Sequence, residues 1–199
     1  MRFPAEQERA DVIQARELFI SGCEKEDQSE FIFLDESGLN LGMSSLYGRA
    51  KSDERLRSFD PFNKGKRTTM IAAMSSERIE AATFGEWHVD GDIFLSFIEC
   101  CLVPTLHPEN IVIMDNLSTH KVSGVRERIE ATGARLVYLP PYSPDLSPIE
   151  LCWSKIKGII RKKAPRTFEE LKEATCEAFR SIKKNDLKEW FTHCGYCID

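Results

Sequence analysis

What this chain lacks narrows its class first. No apolar run approaches the roughly 20 residues that a membrane-spanning helix needs, and the opening Met1-Arg-Phe-Pro-Ala-Glu-Gln7 has no signal-peptide core. The expectation is a cytoplasmic protein with no membrane partner. A Gly-rich phosphate loop of the G-x-x-x-x-G-K-S/T type is missing, which leaves nucleotide binding of that kind without support. Internal repeats and low-complexity tracts are absent. So is an excess of positive charge: 27 Lys and Arg stand against 32 Asp and Glu, a net charge of −5, which argues against a whole-domain basic footprint for nucleic acid. A disulfide framework is not implied either, because the 7 cysteines are odd in number and sit in apolar or helical contexts that suit reduced thiols. His193-Cys194-Gly-Tyr-Cys197 has a metal-like spacing but lacks the second half of a zinc site, and reads as a frayed C-terminus.

What is present fits one domain: 199 residues, 42% hydrophobic and 30% charged. Residues 5–26 read as a polar helix and Phe31-Ile-Phe-Leu-Asp-Glu36 as a buried strand. Residues 37–66, rich in Gly, Ser, Lys and Arg, read as loop or short hairpin. Strands are predicted at 68–75, 79–84, 111–115 and 135–139, and helices at 90–103 and 121–131. Alternating strands and helices at this spacing favour parallel pairing with crossovers. Four prolines stiffen Pro140-Pro-Tyr-Ser-Pro-Asp-Leu-Ser-Pro148, after which Ile149, Cys152, Trp153, Ile156, Ile159 and Ile160 mark one face of a helix. Ser147 suits its N-cap and Pro148 its first position. A final helix is predicted from 167 to 184, opened by the capping-box pattern Thr167-Phe-Glu-Glu170. The domain reading is a helical linker over 1–28, an α/β catalytic unit over 29–185 and a tail over 186–199.

Three carboxylates carry the chemistry. Asp35 ends one apolar strand and Asp115 ends another, Ile111-Val-Ile-Met-Asp115, while Glu150 falls in the first turn of a helix. Acids at the C-terminal ends of neighbouring strands point into the crevice where α/β sheets bind ligands. Two magnesium ions about 4 Å apart need several such oxygens, and they clamp the attacking and leaving oxygens of an in-line displacement. Asp35 would bridge both ions, with Asp115 on one and Glu150 on the other. Each acid also has a structural alternative. Asp115 can begin an Asx turn with Asn116 beside it, and Ser147-x-x-Glu150 is formally a capping box. Asp35 is chosen over Glu36 because it shares a face with Phe31 and Phe33. His120 is close enough in sequence to reach a phosphate or to stand behind Asp115, and Asn116 is a candidate for orienting Asp115 or touching DNA. Two basic stretches are candidate phosphate contacts or plain solvated surface. One is Lys155, Lys157, Arg161, Lys162, Lys163 and Arg166; the other runs from Arg49 to Arg67.

Phe33-Leu-Asp-Glu-Ser-Gly38, Val112-Ile-Met-Asp-Asn-Leu-Ser-Thr-His120 and Leu139-Pro-Pro-Tyr-Ser-Pro-Asp-Leu-Ser-Pro-Ile-Glu-Leu-Cys-Trp-Ser-Lys-Ile-Lys157 resemble the three signature blocks of DDE transposases. The branch they resemble is the mariner superfamily in its bacterial insertion-sequence form, and the 34 residues between Asp115 and Glu150 are the spacing expected there. The resemblance, over roughly residues 30–185, implies an RNase H-like fold with a mixed central sheet flanked by helices. It also implies Mg2+, with Mn2+ as substitute, held by Asp35, Asp115 and Glu150. Metal-assisted hydrolysis would cut DNA at the element's end, and the freed 3′-hydroxyl would attack target DNA, usually at TA. Basic residues after Glu150 would track the phosphate backbone. Implied partners are transposon-end and target DNA, and a second copy or a longer transposase chain. Members of this family carry N-terminal helix-turn-helix domains, for which about 30 residues before the first acid leave no room, and a tryptophan-rich strand is missing from 41–60. A catalytically silent dimerisation module and a plain ribonuclease H or resolvase-like nuclease are the competing readings.

Overall fold

The apolar runs become strands and the 3.6-residue stripes become helices around one twisted sheet. A computed structural model of the chain describes residues 5–45, 47, 49, 51, 53, 55, 57 and 65–198. In chain order the elements are α1 (Ala10–Cys23), β1 (Phe31–Leu39), β2 (Thr68–Met74), β3 (Ile79–Gly85), α2 (Gly91–Phe97), β4 (Ile111–Met114), α3 (Val125–Glu130), β5 (Arg135–Tyr138), α4 (Ile149–Lys163), α5 (Phe168–Arg180) and α6 (Lys184–His193). The sheet order is β3-β2-β1-β4-β5. β1 pairs antiparallel with β2, and β2 with β3, through the predicted turn at 76–78. β4 lies parallel to β1 and to β5. The sheet is therefore mixed, as expected.

Alternation along the strands sends side chains to two cores. Phe31 and Phe33 of β1 join Ile111 and Ile113 of β4 under α4, α5 and α6. Ile32, Leu34, Val112 and Met114 face the other way, against Phe94 and Phe97 of α2 and Val125 and Ile129 of α3. Helices thus cover both faces, which parallel strands require. Among the described residues no helix is long and apolar enough to cross a membrane. All seven cysteines are free thiols, and among the described residues no group of three His, Cys, Asp or Glu side chains is gathered tightly enough to hold an ion, the His193–Cys197 segment included.

Several boundaries differ from the sequence reading. β1 continues through Ser37, Gly38 and Leu39 because β2 pairs with those residues as far as Thr68. The helix predicted over 90–103 is α2 followed by a wider π turn at Ile98–Leu102. The helix predicted from 121 starts only at Val125, after Gly124 at φ 100°. The predicted final helix breaks at Ser181, and the segment read as a tail instead forms α6. Leu187 and Phe191 of α6, and Tyr196 after it, pack into the core under Phe31 and Phe33, with ring centroids 5.3–5.7 Å apart for three of those pairs. Ser147 does not cap α4. Pro148 already has helical angles (φ −57°, ψ −27°), no side chain caps the helix, and Glu150 N–H donates to the Ser147 carbonyl at 3.2 Å. Of the Arg49–Arg67 stretch 11 of 19 residues, and of 41–60 9 of 20, lie outside the described residues.

Candidate active site

Register decides which acids meet. Phe31 to Leu34 pair in parallel with Ile111 to Met114, so Asp35, midway along β1 rather than at its end, comes beside Asp115, which directly follows β4. α4 packs against β1 through Trp153, whose Nε1–H donates to Asp35 Oδ2 at 2.8 Å. That contact draws the first turn of α4, and Glu150 with it, to the same end of the sheet. Asp35, Asp115 and Glu150 all line one cavity of about 510 Å³, together with Asn116, Leu117 and the loop Pro140–Pro144.

The electrostatics follow first from burial and then from neighbouring charge. Burial, aided by the charges of Glu150 and Asp115, pushes Asp35 up to about 7 against the Glu36 backbone N–H and Trp153, which act to lower it. Glu150 is raised as well, by burial and by Asp115, with Lys157 opposing; solvent reaches Glu150 and softens that effect. Lys157 is half-buried on α4, close enough for its charge to act on Glu150 and Asp35, and burial lowers its own pKa.

Asp115 is held differently. His120 Nδ1 lies 2.5 Å from Asp115 Oδ1, and His120 Nε2 lies 3.3 Å from Glu36 Oε1. The ring is wholly buried and stacks on Phe94 at 4.4 Å. Burial acts to lower its pKa, but hydrogen bonds and charge from Asp115 and Glu36 outweigh it and lift His120 to about 9. Leu117 N–H donates to Asp115 Oδ1 at 3.1 Å, an Asx turn that coexists with the cavity position.

Of the other candidates, Asn116 is exposed on the cavity wall. His120 stands behind Asp115 with no surface to offer a phosphate, because its ring is inserted between two acids and Phe94. Lys155 is engaged by Asp186 and Lys163 by Glu177. Lys157, Arg161 and Lys162 have no ion pair among the described residues.

Sequence reasoning missed Trp153 as the partner of Asp35, Glu36 as the partner of His120, and Asp145. Asp145 accepts two hydrogen bonds from the Arg16 guanidinium of α1, at 2.6 and 3.0 Å, and one from Gln7 Nε2 at 3.0 Å. Arg16 holds its carboxyl below the usual range although burial works the other way. A helix tryptophan one turn after Glu150 was the available signal for the first; nothing local signals the other two.

Residues 30–172 match the family described as DDE superfamily endonuclease. A stretch of 76 residues is 33% identical to the transposable element Tc3 transposase of Caenorhabditis elegans, covering 37% of this chain and 23% of that protein. Among solved structures, the Mos1 transposase paired-end complex with left transposon end superposes with a TM-score of 0.77 at 14% identity, over 98% of this chain and 62% of that one. The Mos1 transposase catalytic domain, solved with raltegravir and Mg, gives a TM-score of 0.71 at 14% identity, over 98% and 92%. The chain therefore spans under a quarter of the curated relative it matches and about three-fifths of the paired-end transposase, but nearly all of the isolated catalytic domain. The mixed sheet with helices on both faces is the RNase H-like fold.

Proposed function

The chain belongs to the DDE superfamily of endonucleases, and from that premise we propose that it is the catalytic domain of a mariner-type DDE transposase. The reaction is cleavage of DNA at transposon ends, followed by attack of the freed 3′-hydroxyl on target DNA, each step exchanging one P–O bond for another. The observation that carries this reading is the convergence of Asp35, Asp115 and Glu150, from the middle of β1, the end of β4 and the start of α4, on one cavity. The catalytic unit is taken to run from residue 29 through α6.

The donor set fits a hard divalent cation, Mg2+ or its substitute Mn2+. Three carboxylates line one cavity, though less tightly than the ligands of a bound ion sit, and burial, with a smaller contribution from their mutual charge, raises Asp35 and Glu150, which a cation would offset. When bound, two such ions would polarise the scissile phosphodiester and supply Lewis acidity. Trp153 fixes the orientation of Asp35 and His120 that of Asp115. Lys157, with Arg161 and Lys162 further along α4, offers charge to the DNA backbone. Asn116 lines the wall where a strand would lie. The DNA partner and a paired second copy belong to the same proposal, supported by the likeness to a transposase in a paired-end complex; so does a place of action in the cytoplasm, on the nucleoid if the source is bacterial.

The test is nicking of supercoiled DNA in Mg2+ or Mn2+ by the wild type beside Glu150→Gln. Metal-dependent nicking should fall about a thousandfold or more in the variant, since ligand loss removes several kcal/mol of transition-state stabilisation. Equal nicking by both proteins would sink the active-site assignment. Cutting of an RNA–DNA hybrid in preference to DNA would move the reading to a ribonuclease H.

A further inference from the structure

Tyr142 and Leu117 are large apolar side chains left in solvent, 46% and 56% exposed, and both line the acid cavity. Neither belongs to a core cluster. Tyr142 also has φ 56°, a left-handed conformation that tyrosine avoids. The surrounding structure enforces it. Gln7 Nε2 donates to the Tyr142 carbonyl at 2.6 Å, Ser143 Oγ donates to the Pro141 carbonyl at 3.0 Å, and Asp145 is clamped by Arg16. Prolines 140, 141 and 144 flank the residue. Strain maintained this firmly, on a residue that adds nothing to the core, marks a site of use rather than of packing.

We propose that Tyr142 and Leu117 form a stacking site for one nucleobase of the nucleotide whose phosphodiester the acids cut; the proposal rests on the nuclease reading above. The cavity is of a size that takes small ligands. Without cations its three acids repel a phosphate, so the attraction for a nucleotide comes from the apolar rim. An aromatic face beside a phosphate-processing centre takes a base, and stacking tolerates any base because each has a π face. A base held at Tyr142 must be out of a duplex stack, so the site favours unpaired or frayed DNA at the point of cleavage.

The experiment titrates a short single-stranded oligonucleotide containing 2-aminopurine with the full chain in Ca2+, reading fluorescence quenching. The wild type and Tyr142→Phe should quench and bind alike. Tyr142→Gly should lose the quenching and bind about tenfold more weakly, while its thermal midpoint stays equal or rises, because glycine accepts φ 56° without strain. A purely structural tyrosine would do the opposite and lower the midpoint. Quenching by Tyr142→Gly at wild-type affinity, or no quenching by the wild type, overturns the stacking site. Wild-type nicking in Mg2+ separates the two claims. Nicking without quenching removes only the stacking site, whereas quenching without nicking removes the cleavage reading and with it the link between base and cut.

Discussion

Asp35, midway along β1, and Asp115, just past the end of β4, sit side by side on neighbouring parallel strands, yet the two acids are braced on opposite principles. At β1 the brace is neutral: an indole N–H fixes one oxygen of Asp35 and brings no charge, so burial leaves the acid near 7. At β4 the brace is a buried imidazolium that touches both Asp115 and Glu36 and sets a fixed positive charge between them. The two acids therefore meet an incoming cation from different surroundings, and metal binding is coupled to release of the proton that Asp35 holds near neutral pH.

Exchanging the charged brace should give the largest effect on stability. In His120→Leu, Asp115 and Glu36 lose their shared cation. Breaking a buried pair costs roughly 3–5 kcal/mol, and because both acids reach solvent about 2 kcal/mol is expected, lowering the thermal midpoint by roughly 4–8 °C. An unchanged midpoint would mean that the imidazolium contributes nothing and the comparison fails. Next comes Asp35→Asn in chelator, which removes a buried charge that has no cationic partner. The variant should be more stable than wild type by about 1 kcal/mol near neutral pH; a lower midpoint would make Asp35 a structural acid.

The two braces also predict one pH profile. His120 keeps its proton to about 9 in the folded chain against 6.5 for the free group, so its contribution is complete below 6.5 and is lost as pH rises toward 9. Asp35 acts in the same direction for another reason. Between 3.8 and about 7 the folded chain holds a proton that the unfolded chain has released, so stability falls as pH rises through that window. Melting in chelator should therefore decline from about pH 5 to about pH 9. Asp35→Asn should flatten the lower part and His120→Leu the upper. The smallest effect concerns Lys157, whose charge reaches Glu150 and Asp35. Lys157→Ala should reduce the slope of log affinity for DNA against log salt by about 1 and change stability by less than ~0.5 kcal/mol. An unchanged slope would take Lys157 off the DNA path.

The two acid-bearing strands were legible because four apolar residues before each acid fix the strand and its register, although β1 runs on past Asp35 to Leu39, and the stripe Ile149, Cys152, Trp153, Ile156 and Ile160 names the buried face of α4. What lay hidden depends on distance across the fold. Glu36 and His120 are 84 residues apart, and only the packing of α2 and the turn at Ser118–Lys121 on the second sheet face brings them together. α6 was hidden by composition: Lys184, Asp186, Lys188 and Glu189 dilute the buried Leu187 and Phe191 until no stripe stands out. Ser147 misled because the capping pattern is local while Pro148, already helical, starts α4 by its own ring geometry.

The pair between Arg16 and Asp145 has a mechanical side. α1 keeps only Val12 and Cys23 buried, so little else anchors it, yet two parallel hydrogen bonds fasten its middle to the loop that carries Tyr142 and leads into α4. Such a helix is a handle. The planar guanidinium of Arg16 fixes both the distance and the orientation of that loop, so the placement of Tyr142 over the cavity rests on a helix that the core itself hardly holds.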